Sequence, residues 1–446
     1  MMRFHIITHG CQMNVCDSDW LHRALLELGA QPGPEQDADV IVVNTCSVRE
    51  KPEQKVYSLL GRLQAYWERN PEMFVAIGGC VAQQIGTQFW QRFPHVRLVF
   101  GTDGIAMVPQ AVRRLCQDPH LRLSLLDFQE TYPERDQNWP EPRVPAQAYV
   151  NIMQGCDNFC AYCIVPHTRG RQKSRSSAAV LRECRELAVR GAREITLLGQ
   201  NVNSYGQDAN GDGTTFASLL EQVCAISGVE QVRFTTSHPK DIAPEVIAAF
   251  SRLPELSPHL HLPLQSGSDR ILKAMRRRYT RQRYMDIVHG LRQARPEIIL
   301  TTDLIVGFPG ETDADFEQTL EMMREIGFPA SFSFKYSDRP GVAAENMPDK
   351  VPEALKSQRL SRLQALQEEL TQNALQAEVG RYLTVLLQDK GRQDGQGVIW
   401  RGRDPGGRVV NCRSASHSPL DGLYVNVRVT EAKKHSLFGE MEAGPW

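Results

Sequence analysis

Apolar and polar positions alternate in regular blocks over residues 1–117. Phe4–His9 is strand-like, and Asp17–Leu28 places Trp20, Leu21, Ala24, Leu25 and Leu28 at helical spacing. The unbroken run Val40-Ile41-Val42-Val43 has the character of a strand buried on both faces. A helix over about Glu53–Trp67, a strand at Met73–Ile77, a helix at Ala82–Phe93, a strand at Val96–Phe100 and a helix at Val108–Cys116 continue the pattern. Such alternation predicts an α/β domain with a parallel sheet and right-handed crossovers. Residues 118–147 lose the periodicity and carry Pro119, Pro133, Pro140, Pro142 and Pro145, which reads as a linker with some local structure.

From Ala148 a second α/β pattern begins, with strands at Tyr149–Met153, Glu194–Leu198, Gln231–Thr235, His259–Pro263, Ile298–Ile305 and Ala330–Phe334. Helices such as Ser177–Arg190, Phe216–Ser227, Pro244–Arg252 and Ala314–Ile326 fill the gaps. Six βα units fit a partial (β/α)6 barrel, whose chemistry would gather at the C-terminal strand ends. The helical stretch Pro352–Ala377 closes this segment, taken as 148–377. Residues 378–442 alternate apolar and polar positions between Gly-rich turns, as in Leu423-Tyr424-Val425-Asn426-Val427-Arg428-Val429, and predict a small antiparallel β-barrel.

The 446-residue length suits two or three domains, and 41% hydrophobic with 23% charged residues is an ordinary soluble composition. No apolar run reaches membrane-spanning length, and Met1–Ile7 lacks the layout of a secretory signal, so the expectation is a cytoplasmic protein with no membrane partner. That compartment is reducing, which argues against disulfides as the use of the eleven cysteines. A net charge of −1 carries no overall nucleic-acid signature.

Six cysteines fall into two sets of three. Cys156, Cys160 and Cys163 form a compact C-x₃-C-x₂-C loop just past the first barrel strand. A structural zinc site would need a fourth ligand, usually in a paired arm, and none follows nearby. A [4Fe-4S] cluster held by three thiolates, with one iron open, accounts for the spacing, and Phe159 and Tyr162 would shield it from water. Cys11, Cys46 and Cys80 each follow one of the first three predicted strands, whose ends share one sheet edge. Gly10, Gly78 and Gly79 would let the backbone approach an inorganic core. On spacing alone this set stands open between a second cluster and three unrelated buried thiols. Cys16 could compete with Cys11 in the same loop, while Cys116, Cys184 and Cys224 lie on predicted helices and suit core packing. Three basic stretches remain: Thr168–Arg175 with Arg169 and Arg171, Arg276–Arg283 with Arg276, Arg277 and Arg278, and the tip at Lys433 and Lys434. Each reads either as a solvated face or as an RNA contact.

Together these strings resemble the methylthiotransferases of the radical S-adenosylmethionine (SAM) superfamily, over the whole chain. His9-Gly10-Cys11-Gln12-Met13-Asn14, Asn44-Thr45-Cys46-Ser47-Val48-Arg49-Glu50-Lys51 and Gly78-Gly79-Cys80-Val81-Ala82-Gln83 resemble the branch that acts on tRNA. A sister branch, which modifies a ribosomal-protein aspartate, has Pro-Lys at the positions of Gln12 and Met13. Val165-Pro166-His167-Thr168-Arg169-Gly170, Leu198–Tyr205 and His261–Gly267 point the same way. The chain departs from the family pattern at Cys16, where an aromatic residue is common. It departs again at Ser176, in place of a proline, and at Val342-Ala343, where Thr-Pro is usual.

The resemblance implies an N-terminal methylthiotransferase domain (1–117), a radical SAM core (148–377) and a C-terminal TRAM RNA-binding domain (378–442). It implies two [4Fe-4S] clusters, one on each cysteine set, and SAM as cofactor. The compact cluster would chelate and reductively cleave SAM, and the Cys11/Cys46/Cys80 cluster would carry the transferable sulfur. Gln200, Asn201, Ser237, Gln265 and Asp303, near predicted strand ends, become expected cofactor or substrate contacts, with local capping as the alternative. The implied reaction is methylthiolation at C2 of N6-isopentenyladenosine at tRNA position 37. Expected partners are the tRNA anticodon stem-loop, an electron donor such as flavodoxin or ferredoxin, and a sulfur source, acting on a monomer. The alternatives are methylthiolation of threonylcarbamoyl-adenosine or of a protein aspartate, and a non-catalytic iron–sulfur RNA-binding regulator.

Overall fold

The computed structural model describes residues 2–47, 52–135, 143–394, 397–414 and 419–442. The Val48-Arg49-Glu50-Lys51 end of one motif string, and Pro140 and Pro142 of the linker, lie outside the described residues.

The first sheet is built from β1 (Arg3–Thr8), β2 (Gln31–Pro32), β3 (Val40–Thr45), β4 (Phe74–Gly79), β5 (Val96–Phe100) and β6 (Leu123–Leu125), in the order β2-β1-β3-β4-β5-β6. Every pairing is parallel. The apolar run in β3 explains its central place. Val40 and Val42 join a core with Trp20, Leu21, Phe74 and Val112, whereas Ile41 and Val43 join one with Val56, Leu60, Val75 and Val99. Alternate side chains thus serve two helix layers, each buried Val or Ile contributing roughly 1.5–3 kcal/mol. The sheet extends past residue 117, because β6 comes from the stretch read as linker.

The second domain holds β7 (Gln147–Asn151), β8 (Met153–Gln154), β9 (Lys173–Ser174), β10 (Glu194–Leu198), β11 (Gln231–Phe234), β12 (His259–His261), β13 (Ile299–Val306) and β14 (Ala330–Lys335). Six of these form a partial parallel barrel as two ladders, β11-β10-β7 and β12-β13-β14. A single bridge between Val232 and Leu256 adjoins the junction. Ile195, Leu197, Val232, Phe234, Leu260, Leu300 and Leu304 pack outward against the helices in one core. Period-two alternation turns Thr196, Arg233, His261, Thr301, Asp303 and Phe332 to the concave side. The short antiparallel pair β8–β9 clamps the base of the compact cysteine loop, with Met153 opposite Ser174 and Gln154 opposite Lys173.

Helix Glu353–Gln376 runs down the outside of β14, from a Lys335–Glu353 pair at its start to a Thr371 Oγ1 bond with Pro329 O at 2.8 Å. It leads to β15 (Tyr382–Asp394), β16 (Gly397–Arg403), β17 (Val409–Ser414), β18 (Tyr424–Ala432) and β19 (Leu437–Met441), which close in the order β15-β16-β17-β19-β18. The expected antiparallel pattern needs one amendment: β17 and β19 pair in parallel. This small barrel seats on the N-terminal strand ends of the larger one. Arg233 Nη2 donates to Asp404 O at 2.9 Å, and Ser257 Oγ donates to Pro405 O at 2.6 Å. No helix of the described residues is long and apolar enough to cross a membrane.

Candidate functional site

Strands β1, β3 and β4 are neighbours, so their C-terminal ends bring Cys11, Cys46 and Cys80 to one sheet edge. The backbone there is cut to fit. Gly10 has φ +135° and a side chain on it would meet Cys46 Cβ at 2.4 Å. Gly79 has φ +88°, and its missing Cβ would sit 2.2 Å from Thr45 O. Asn14 ties the loops together, its Nδ2 donating to His9 O (3.1 Å), Asn44 Oδ1 (3.1 Å) and Thr45 O (2.8 Å). Asn44 Nδ2 returns a bond to Asn14 O at 3.0 Å. Sequence reasoning gave neither asparagine a role, although both stand inside cysteine-bearing strings where Asn suits side-chain-to-backbone bonding. A hydrogen bond from Cys46, with the Arg169 charge nearby, brings the Cys11 thiol down to about 5 against the opposing effect of burial.

The compact loop leaves β8 through Gly155, at φ +79°, where a Cβ would lie 2.0 Å from Arg171 O. Gln200 Oε1 accepts the Gly155 N–H at 2.6 Å, which pins the loop to the end of β10. Phe159, at φ +46°, turns the chain between Cys156 and Cys160. Burial first, and then the neighbouring thiolate charges, push Cys156 up to about 11 and Cys163 up to about 12. A cationic core is what lets such crowded thiols ionise together. Arg277 Nη1 lies 3.4 Å from Cys160 Sγ. A cavity of about 350 Å³ opens beside the loop, lined by Phe159, Cys160, Cys163, His167, Arg276 and the Gly341–Ala343 segment. The family departure at Val342-Ala343 therefore forms part of this wall.

The elements that carry the two sets adjoin. The N-terminal sheet edge docks on the barrel mouth, with Thr102 Oγ1 donating to Thr168 O at 3.2 Å and a buried Lys173–Asp103 ion pair alongside. Gln200 Nε2 also reaches Met13 Sδ, two residues from Cys11. Among the described residues no three potential ligands converge tightly enough to cage a single ion. A four-iron core is larger and takes thiolates at its corners, so two three-thiol edges with glycine-relieved backbone fit it. Asn201 Oδ1 and Ser237 Oγ, just past β10 and β11, are buried without a hydrogen-bond partner. Buried polar atoms left open at a mouth are what an incoming polar ligand would satisfy. Asn201 Nδ2 is held by Asp241 at 2.7 Å. Gln265 is buried at φ +68°, and Asp303 reaches His261 Nε2 at 3.2 Å on the concave wall.

Several expectations need correction. Arg169 and Arg277 are each only 4% exposed, so neither lies on an RNA-facing surface: Arg169 enters the N-terminal thiol site and Arg277 the compact loop. Arg171, Arg276 and Arg278 are exposed, Arg171 lying over the Phe159 ring at 5.1 Å and against Asp157 at 2.8 Å. Lys433 and Lys434 are exposed beside Glu368 and Gln372, at the end of the barrel away from the cysteine loop. Cys16 does not compete with Cys11. Its helix turns the thiol towards Tyr149 O at 3.6 Å, and burial pushes it up to about 12. Cys116 is exposed, while Cys184 and Cys224 are buried. Ser176, in place of the usual proline, caps helix Ser177–Val189 by accepting from Ala179 N at 3.2 Å.

Residues 3–101 match the uncharacterized protein family UPF0004, residues 150–323 the radical SAM superfamily and residues 376–441 the TRAM domain. Among solved structures, the radical S-adenosylmethionine methyltransferase TsrM from Kitasatospora setae has a TM-score of 0.57 at 12% identity, covering 77% of this chain and 74% of its own; this likeness is one of fold. The tRNA-2-methylthio-N(6)-dimethylallyladenosine synthase of Nitratidesulfovibrio vulgaris is 61% identical over 99% of both chains. The proteins of that name from Lawsonia intracellularis and Carboxydothermus hydrogenoformans are 49% and 42% identical, each over 98% of both chains. Identity of this extent over nearly the full length makes the chain a member of the tRNA-2-methylthio-N(6)-dimethylallyladenosine synthase family.

Proposed function

We propose that the protein replaces the C2 hydrogen of N6-isopentenyladenosine at tRNA position 37 with a methylthio group. The observation that carries this reading is the pair of three-thiol sets, one at the end of the N-terminal sheet and one in the loop after β8, on elements that dock against each other. Cys156, Cys160 and Cys163 would hold one [4Fe-4S] cluster, and Cys11, Cys46 and Cys80 the other. When bound, these clusters and SAM supply the radical that activates the aromatic C–H bond, together with the sulfur and methyl group that replace it.

The chain's own residues bind, orient and exclude water. Gln200 fixes the compact loop through the Gly155 N–H. Asn201 and Ser237 offer unpartnered buried oxygens to the polar end of SAM. Arg277, held by Pro263 O at 3.1 Å and stacked near Tyr279, keeps positive charge against Cys160. The Asn14–Asn44 bonds hold the second set in register with the sheet. The target base has to leave its stack to reach this depth. Exposed Arg171, Arg276 and Arg278 surround the compact loop and suit phosphates of the surrounding RNA.

An anaerobic assay tests the reading. Reduced, cluster-loaded protein with SAM and tRNA carrying isopentenyladenosine should give both 5′-deoxyadenosine and the 2-methylthio nucleoside by mass analysis. SAM cleavage that yields product only with threonylcarbamoyl-adenosine or a protein would reassign the substrate. Absence of both products would leave the non-catalytic regulator.

A further inference from the structure

Arg169 is the last residue of the short helix Val165–Arg169, which begins two residues after Cys163 and packs against helix Cys80–Ile85. Its guanidinium is buried and donates to Asn14 Oδ1 at 3.2 Å, the same oxygen that accepts from Cys11 Sγ at 3.5 Å. Cys80, Asp17 and Cys11 are the acidic groups nearest its charge. Asp17 is itself engaged by Arg135 at 2.7 Å, so most of this cation's compensation comes from the thiol site. A buried guanidinium is tolerated only where negative charge answers it. Three thiolates around a cluster provide that charge.

We infer that Arg169 is a positioning residue for the Cys11/Cys46/Cys80 site: its fixed positive charge, delivered by the helix that follows the compact loop, raises the reduction potential of the cluster held there. The inference rests on the reading that this set binds a cluster. The step concerned is uptake of one electron from a one-electron donor, which reduces the iron core with no bond made or broken and no proton moved. Cluster potentials follow net charge and hydrogen bonds to the sulfurs, so a cation beside Cys80 favours the more negative, reduced state.

The test uses the full chain with Cys156, Cys160 and Cys163 replaced by Ala, reconstituted anaerobically, so that only the N-terminal site can hold a cluster. A mediated redox titration is followed by low-temperature electron paramagnetic resonance, with iron and sulfide analysis of each protein. Arg169→Gln should lower the reduced-to-oxidised ratio at the parent midpoint at least about tenfold, a shift of about 59 mV for one electron. Arg169→Lys, which keeps the charge, should stay within about threefold of the parent, or about 28 mV on the same one-electron scale. Full iron content with an unmoved midpoint in Arg169→Gln overturns the inference. If Arg169→Gln assembles no cluster, Arg169→Lys decides: a retained midpoint supports the charge role and a tenfold fall sinks it. A parent protein that binds no iron at all sinks the cluster reading itself, a result distinct from either.

Discussion

The two thiol sets are assembled by opposite routes. The compact one occupies residues 156–163 and is shaped by local geometry: a left-handed Gly155, a left-handed Phe159 and the β8–β9 clamp. The scattered one exists only because three parallel strands lie side by side in correct register. A local loop tolerates distant damage, whereas a set assembled by a sheet inherits every fault of that sheet. The contrast teaches where each site is vulnerable.

The sharpest way to break the comparison is to remove one thiol from each set. Cys163→Ala should abolish both 5′-deoxyadenosine formation and the methylthio product, while the reconstituted protein keeps roughly half its iron. Cys80→Ala should leave SAM cleavage intact and abolish methylthiolation, as read by nucleoside mass analysis on the same samples. Next in size is Gly79→Ala, which forces a side chain into φ +88° and against Thr45 O at 2.2 Å. It should cost about 2–4 kcal/mol in denaturant unfolding and deplete iron from the scattered site alone. Asn14→Ala removes two bonds to the Cys46 strand and one within the Cys11 loop, and should cost about 1–3 kcal/mol, with slower cluster assembly at that site. Smallest is Ser176→Ala, which removes the N-cap of helix Ser177–Val189. It should cost about 1 kcal/mol by thermal or denaturant unfolding and leave the iron content of both sites unchanged.

What could be read from the chain follows the same division. Val40–Val43 announced a doubly buried central strand, and the C-x₃-C-x₂-C spacing marked out one loop, because both signals are local. The strand β6 was missed because Leu123-Ser124-Leu125 is too short to show a period. Cys116 lies at the last turn of helix Val108–Gln117, at the edge of the stripe made by Val108, Ala111, Val112 and Leu115, so burial of that stripe left it outside. Arg169 and Arg277 sit in arginine-rich strings that look solvated, and only the docking of whole elements decides which arginine turns inward. Asn14 and Asn44 were visible as residues but not as partners, since a bond between positions 30 apart depends on the sheet.

The seating of the small C-terminal barrel has a consequence of scale. Strand β13, eight residues long, crosses the larger barrel, about 26 Å at about 3.3 Å per residue. The cysteine loop lies at one end of that span, and the Asp404–Gly407 turn with the Lys433-Lys434 tip at the other. A ligand gripped by the small barrel and worked on at the mouth must be at least that long. A free nucleoside is shorter than this span and could touch one end only, whereas a folded polymer could reach both.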